Sequence, residues 1–312
     1  MRLLLACLGI GTLILLSQSA SAGPMREHIA EQVANTPQVN DAGKDKDGPD
    51  ASGKSFLPAG ASVQRDIAYG TDRLQRMDVY IPDNSHGASV VFMVHGGAWH
   101  AGDKASVGVV ENKAARWVNK GMVFVSVNYR MLPKADPLTQ ADDVAMALAK
   151  AQSLAATWGA DPSRFILMGH SAGAHLVALI AAAPDIAKKH GAQPWLGTVL
   201  LDSAALDIER IMATNHIRLY DRVFGADAPY WRAASPFHRL SVKTAPILAV
   251  CSTHRSNSCP QAHSFVAKAT SIGVRSSVLE VDLTHREINR DLGLPGPYTE
   301  GVESFMRSLG RE

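Results

Sequence analysis

The chain has 312 residues, of which 46% are hydrophobic, so it is long enough to bury one large core. Its formal charge is only +2, and acidic and basic residues are interspersed along it. This balance gives no sign of a nucleic-acid-binding surface or of a polybasic membrane anchor, and we expect neither. Oligomeric state does not follow from these quantities.

The first 22 residues have the pattern of a bacterial-type secretory signal. A positive start, Met1-Arg2, is followed by an apolar stretch from Leu3 to Leu16 and by the small residues Ala20-Ser21-Ala22. The stretch is too short and too poorly flanked for a membrane span. Cys7 has almost no apolar segment before it, which disfavours lipidation. We therefore expect export to the periplasm or the medium.

Residues 23–62 are rich in Gly, Pro, Ala, Asp and Lys and lack a sustained periodicity. Such a composition does not bury enough apolar surface to fold, so we expect a disordered leader or tether. The folded domain is then predicted to cover residues 63–312.

From residue 63 onward, short apolar runs typical of strands alternate with helical segments. The predicted strands are 67–69, 77–81, 90–94, 123–127, 165–168, 198–201, 247–250 and 277–281. The predicted helices are about 104–120 and 140–157, one beginning at Ala174, and about 260–271 and 299–309. This alternation predicts an α/β fold with a mostly parallel central sheet and helices on both faces. Ligands bind such sheets beyond the carboxyl ends of the strands.

Residues 203–244 are longer than a simple connection between two such elements. The aromatic residues of this segment are Tyr220, Phe224, Tyr230, Trp231 and Phe237. Two interpretations stay open: a small cap over the active site, or a surface excursion that packs its aromatic side chains onto the core.

Gly169-His170-Ser171-Ala172-Gly173 follows a predicted strand and precedes a predicted buried helix. A Gly-x-Ser-x-Gly run in this context is typical of a nucleophile elbow, where small flanking residues allow a strained turn that exposes the serine oxygen. Taken alone the pattern is common, so its strand and helix neighbours carry the argument. We predict that Ser171 is a catalytic nucleophile rather than an ordinary helix N-cap.

His95-Gly96-Gly97-Ala98-Trp99 comes directly after the predicted strand 90–94. Two glycines allow the chain to turn so that successive backbone N–H groups face a cavity, as an oxyanion hole requires. The predicted donors are the N–H groups of Gly97 and Ala98, together with that of Ala172 after the nucleophile.

The general base of a serine hydrolase with this motif order should follow the last strand. His285 does so, directly after the strand 277–281. His254 and His263 lie nearer to the preceding strand, which disfavours them. We predict that His285 is the base.

From about Tyr69 to its C-terminus, the chain resembles the α/β-hydrolases of the esterase/lipase group. The motifs that carry the resemblance are residues 77–82, 95–99, 102–104, 128–130, 161–164 and 169–173. The His-Gly-Gly-Ala-Trp version is similar to that of small carboxylesterases, feruloyl or acetyl esterases, and arylformamidases. The resemblance implies the α/β-hydrolase fold and hydrolysis of a small or aromatic carboxylic ester through an acyl-enzyme. It implies neither an organic cofactor nor a metal.

The chain departs from the family at the acid that orients the base. Many relatives place an aspartate in the loop after the seventh strand, but the loop that follows Val250 contains no carboxylate. Two candidates stay open: Asp202, at the end of the preceding strand, and Asn257 as a neutral partner. A working enzyme favours Asp202, because an asparagine partner holds the wrong imidazole tautomer. Asp207 more closely matches a structural aspartate of the family.

Cys251 and Cys259 are the cysteines that remain if residues 1–22 are removed. In an exported chain, two cysteines eight residues apart favour one disulfide that closes a small loop, and two free buried thiols are the alternative. Zinc binding is disfavoured because a second pair of ligands is missing. The predicted function is therefore that of an exported serine esterase. An arylformamidase-type amide hydrolase and a catalytically inactive binding scaffold are the alternatives.

Overall fold

The computed structural model describes residues 56–310, so the predicted signal and most of the predicted leader lie outside the described residues. Phe56 and Leu57 pack against the hydrophobic core, and the Phe56 ring lies 6.1 Å from that of Tyr80. The first strand begins at Ser62. The described structure therefore includes residues 56–62 of the predicted leader, where a short apolar segment finds partners on the sheet.

Eight strands form one sheet. Their bounds are β1 Ser62–Ala68, β2 Arg76–Ile81, β3 Ala88–Val94, β4 Val123–Val127, β5 Ala160–His170, β6 Gly197–Leu201, β7 Ile247–Ser252 and β8 Ser276–Val281. They are arranged in the order β1-β2-β4-β3-β5-β6-β7-β8. β1 and β2 pair antiparallel to their neighbours, and from β4 to β8 the pairing is parallel. The predicted α/β fold with a mostly parallel sheet is confirmed.

The described helices alternate with these strands. Their bounds are α1 Val107–Val118, α2 Pro137–Leu154, α3 Ala172–Ala182, α4 Asp185–Lys188, α5 Ile208–Met212, α6 Arg218–Phe224, α7 Ala228–Ala233, α8 Pro236–Arg239, α9 Ser258–Ser271, α10 His285–Arg290 and α11 Pro297–Ser308. A 3₁₀ turn, Ala155–Trp158, continues α2. Within residues 56–310, no helix is long and apolar enough to cross a bilayer.

Side chains of one strand alternate between the two faces of the sheet, and this alternation divides the core. In β3, Val90, Phe92 and Val94 pack on the face covered by α2 and α3, whereas Val91 and Met93 pack on the face covered by α1 and α11. All five side chains are fully buried. A strand buried on both faces explains why the sequence shows continuous apolar runs rather than a period of two.

Segment 203–244 forms the four short helices α5–α8. Tyr220 and Phe224 are buried, with ring centroids 6.3 and 5.2 Å from that of Trp99. Two of its aromatic side chains therefore pack onto the core, beside the loop predicted to bind an oxyanion. A cap over the active site stays a prediction.

Candidate active site

The backbone turns sharply at Ser171, between β5 and α3. Ser171 has φ 54° and ψ −117°, a conformation that costs a non-glycine residue free energy of order 1–3 kcal/mol. Its N–H donates to the carbonyl of Leu201 at the end of β6 (2.9 Å), which places the turn beside Asp202. The predicted strand–turn–helix context of the elbow is therefore present.

Glycine is required on both sides of the turn by close backbone contacts. A Cβ added to Gly169 would lie 2.4 Å from the carbonyl oxygen of Gly173. A Cβ added to Gly173 would lie 2.3 Å from the carbonyl oxygen of Val94, at the end of β3. The Gly-x-Ser-x-Gly pattern thus reflects how tightly the first turn of α3 packs against β3 and β5.

The loop after β3 lies against the elbow. A Cβ added to Gly96 would lie 3.0 Å from the Cβ of Ser171, and three successive residues have positive φ: Gly97 (119°), Ala98 (51°) and Trp99 (62°). Such a turn directs neighbouring N–H groups to one side of the chain. Ala172 is the first residue of α3, so its N–H has no acceptor within the helix. Its position fits the predicted oxyanion hole.

Buried polar groups support this loop from beneath. The Tyr129 hydroxyl donates to the His95 carbonyl (2.9 Å), and the two rings stack at 4.5 Å. Trp99 Nε1 donates to His175 Nδ1 (3.1 Å), and His175 Nε2 donates to the Ala234 carbonyl (2.8 Å). Burial lowers the pKa of His175 to about 4, so this imidazole is neutral at physiological pH.

His285 lies at the first position of α10, where a capping box fixes the start of the helix. The Thr284 side chain accepts from the Glu287 N–H, and the Glu287 carboxylate accepts from the Thr284 N–H (2.9 Å). His285 Nδ1 then lies 2.5 Å from Asp202 Oδ2. The structure therefore brings the predicted base and the favoured acid together.

His170 packs against the ring of His285. Their ring centroids are 4.4 Å apart, and His170 Nε2 donates to the His285 carbonyl (3.0 Å). Because His170 immediately precedes Ser171, this contact brings His285 next to the elbow. Burial, together with the charge that His285 can carry, holds the pKa of His170 well below its usual range.

Asp202 is fully buried and has φ 54°. Its Oδ1 accepts from the Ser252 N–H (2.8 Å) and from the Ser258 hydroxyl, and its Oδ2 accepts from Arg255 Nη1 (2.7 Å) as well as from His285. Burial alone would raise the pKa of this carboxyl. The hydrogen bond from His285, the charge of Arg255 and the Ser258 hydroxyl nevertheless hold the pKa below its usual range. A carboxylate with this many donors is ionised at neutral pH.

The other candidates are placed elsewhere. Asn257, the alternative partner of His285, is the N-cap of α9, and its Oδ1 is buried without a hydrogen-bond partner among residues 56–310. Asp207 caps α5 by accepting from the Arg210 N–H (3.2 Å). His254 and His263 donate hydrogen bonds at the surface to Asp282 and Glu280 respectively.

Cys251 and Cys259 form a disulfide, as predicted. Sequence reasoning missed Arg255, which lies inside the loop that this disulfide closes and contacts the Asp202 carboxylate. The sequence signal that could have indicated this contact is an arginine in a loop without a carboxylate, together with Asp202 at the end of the neighbouring strand. Within residues 56–310, no group of three or more His, Cys, Asp or Glu side chains is arranged to hold a metal ion.

Comparisons with known proteins agree with this fold. The BD-FAE family model matches residues 77–206, which include the loop after β3, the elbow and Asp202. The probable isoprenylcysteine alpha-carbonyl methylesterase ICMEL1 of Arabidopsis thaliana is 34% identical over 117 residues, which are 37% of this chain and 24% of that protein. Esterase LipC of Mycobacterium tuberculosis is 26% identical over 270 residues, which are 80% of this chain and 66% of that protein. The chain thus spans between 24% and 40% of the length of the plant relatives that it matches.

Among solved structures, a truncated carbohydrate esterase from gut microbiota superimposes with a TM-score of 0.68 at 16% identity. The match covers 80% of this chain and 96% of the other. The sheet and the elbow define an α/β-hydrolase. The family match and the relatives support an esterase of this fold, in agreement with the resemblance stated from the sequence.

Proposed function

We propose that this protein is a serine hydrolase that cleaves small or aromatic carboxylic esters through an acyl-enzyme. The observation that carries the proposal is the hydrogen bond between His285 and the buried carboxylate of Asp202, beside a serine held in a strained turn. Nucleophilic catalysis needs a nucleophile, a base and a group that orients the base, and these three side chains supply them. The esterases among the relatives support the choice of an ester as substrate.

In the proposed mechanism, Ser171 Oγ attacks the ester carbonyl while His285 Nε2 takes its proton. Asp202 accepts the hydrogen bond from Nδ1 and so keeps the free lone pair of the imidazole on Nε2. The backbone N–H groups of Gly97, Ala98 and Ala172 bind the oxyanion of the tetrahedral intermediate. His285 returns the proton to the leaving alcohol, and water then releases the acyl group by the same steps.

Export is part of the proposal. It is supported by the signal-like pattern of residues 1–22 and by the disulfide between Cys251 and Cys259, a bond that persists in oxidising compartments. The N-terminal sequence of the protein recovered from the periplasm or the medium tests it. A mature chain beginning near residue 23 is the expected result, and an uncleaved chain in the cytoplasm would contradict it.

The catalytic proposal is tested by steady-state hydrolysis of p-nitrophenyl acetate, p-nitrophenyl butyrate and an aryl formamide by the purified protein and by Ser171→Ala. We expect ester turnover that falls at least about 10³-fold in the variant, since the nucleophile is removed. Turnover of the formamide alone would replace the esterase with an arylformamidase. A folded protein that hydrolyses none of these compounds would favour the binding scaffold.

A further inference from the structure

A loop of residues 251–259, from the end of β7 to the start of α9, is closed into a ring by the disulfide Cys251–Cys259. In this chain it contains no carboxylate, yet three of its residues donate hydrogen bonds to the carboxylate of Asp202. The donors are the Ser252 N–H, the Arg255 guanidinium and the Ser258 hydroxyl. Two of them are direct sequence neighbours of the cysteines, so the disulfide fixes both ends of the segment that surrounds the acid.

We propose that this disulfide-closed loop positions Asp202 and that Arg255 sets the charge balance of the Asp202–His285 pair. The inference rests on the proposed function and deepens it. Although this loop contributes no carboxylate of its own, it holds the carboxylate of Asp202, which follows the neighbouring strand β6.

Asp202 needs such support because its conformation is unfavourable in two respects. Its backbone has φ 54°, in the left-handed region, and its carboxylate is fully buried. A buried carboxylate without donors is destabilised, and it takes up a proton instead of orienting a base. Arg255 Nη1 contacts Oδ2 (2.7 Å) and the main-chain carbonyl of Asp202 (3.0 Å), so one guanidinium fixes the side chain relative to the backbone.

Arg255 also lies close to the imidazole. Its Nη1 is 3.0 Å from His285 Nδ1, and both groups direct a donor at Oδ2 of the same carboxylate. A cation at this distance disfavours the imidazolium form, whereas the carboxylate favours it. The other titratable groups around this pair are His170, whose ring centroid lies 4.4 Å from that of His285, Tyr298, whose hydroxyl donates to the Ile288 carbonyl, and Lys113, whose ammonium donates to the Asn289 carbonyl on α10. Burial holds the pKa of His170 low and that of Tyr298 high, so both are neutral near pH 7. Burial lowers the pKa of Lys113 to about 7, and this group is the same in wild type and in the Arg255 variants.

The first test measures kcat/KM for p-nitrophenyl butyrate between about pH 4 and 9 in Arg255→Met, Arg255→Lys and wild type. Removing a cation that lies 3.0 Å from the imidazole should move the acid limb of the Arg255→Met profile to higher pH by about one unit. The plateau kcat should fall about tenfold as the imidazole loses its fixed orientation. Arg255→Lys keeps the charge, so its acid limb should stay near that of wild type.

Arg307 provides the matched control, since it is an exposed arginine that pairs with Glu303 on α11. Arg307→Met should leave the pH profile unchanged. A purely structural role of Arg255 would lower the amount of active enzyme without moving the acid limb. An Arg255→Met enzyme with the limb and the plateau of wild type would overturn the proposal.

The second test reduces the disulfide with dithiothreitol, which supplies two electrons and two protons and leaves two thiols. Opening the ring should lower kcat about tenfold and leave KM unchanged, while the thermal unfolding transition remains. Reoxidation should restore kcat, and Cys251→Ser/Cys259→Ser should not respond to the reagent. Two free thiols, mapped by alkylation, together with an unchanged kcat and pH profile would overturn the proposal.

Ser171→Ala separates this inference from the proposed function. If Ser171→Ala is inactive while reduction and Arg255→Met have no effect, the positioning role fails and the serine mechanism stands. If Ser171→Ala is as active as wild type, the proposed function itself fails.

Discussion

Replacing Asp202 by asparagine tests how the base is oriented, because it keeps the size of the side chain and removes its charge. The carboxylate accepts two donors on each oxygen: the Ser252 N–H and the Ser258 hydroxyl on Oδ1, Arg255 and His285 on Oδ2. An amide has the same size, but one of its two ends carries hydrogens instead of lone pairs. In Asp202→Asn, either orientation of the new amide therefore directs an NH₂ group at two existing donors.

The expected loss is large because the favoured tautomer of His285 changes. With NH₂ in the place of Oδ2, the imidazole accepts on Nδ1 and carries its proton on Nε2, so it does not take the proton from Ser171. A serine protease with the equivalent replacement loses about 10⁴-fold in kcat, or about 5.5 kcal/mol of transition-state stabilisation. We expect the same order of loss here. Loss of two hydrogen bonds to a buried group should also reduce the free energy of unfolding by about 2–4 kcal/mol.

The assay is kcat for p-nitrophenyl butyrate at pH 8, with urea unfolding to confirm that Asp202→Asn is folded. Asp207→Asn is the matched control, because Asp207 is a nearby carboxylate that caps α5 and asparagine caps helices equally well. Its kcat should stay within about twofold of wild type. An Asp202→Asn enzyme within about tenfold of wild type, or an equal loss in Asp207→Asn, would refute the assignment of Asp202 as the acid.

Three further variants test the geometry around the site and the stability of the fold. Asn257→Ala should keep kcat within about twofold, because the side chain that contacts His285 is not this amide. Gly173→Ala should lower the free energy of unfolding by about 3 kcal/mol or more, since the new methyl group would lie 2.3 Å from the Val94 carbonyl. Glu303→Gln should destabilise by about 2 kcal/mol at pH 7, because the hydrogen bond from Arg116 lowers the pKa of Glu303 to about 2.

Because the pKa of Glu303 is lowered, Glu303→Gln should destabilise the protein only at higher pH. A carboxyl with a lowered pKa stabilises the fold above its unfolded value of 4.5, and this contribution disappears as the pH falls towards about 2. The difference between wild type and Glu303→Gln in urea unfolding should therefore be present at pH 7 and absent near pH 2. A difference that is constant over this range would contradict the assignment, as would wild-type stability in Gly173→Ala. A loss in Asn257→Ala as large as that in Asp202→Asn would return the amide to consideration as the partner of the base.

The sequence predicted the sheet well because its strands are buried on both faces. β4, Val123–Val127, coincides with the predicted run of five apolar and small residues. The start of the domain was harder to predict, since Phe56 and Leu57 are isolated apolar residues in a polar leader. They pack only because the folded sheet provides partners, and these contacts cannot be predicted from the composition of the leader.

At the site, the elbow was predictable because steric contacts restrict Gly169 and Gly173 to glycine. The pairing of His285 with Asp202 was one of two open choices. It depends on the order of the strands, in which β6 and β8 lie on either side of β7. The helix α10 was missed although its capping box, Thr284 and Glu287, is readable in the sequence. Arg255 could not be assigned, since its role depends on contacts across the loop that only the folded chain makes.

The most direct test of the central claim is the labelling of the purified protein with a fluorophosphonate, followed by intact mass and peptide mapping. We predict one adduct, on Ser171, that is absent from Ser171→Ala and forms more slowly in Asp202→Asn. A folded protein that forms no adduct, or an adduct mapped to a different serine, would contradict the serine mechanism.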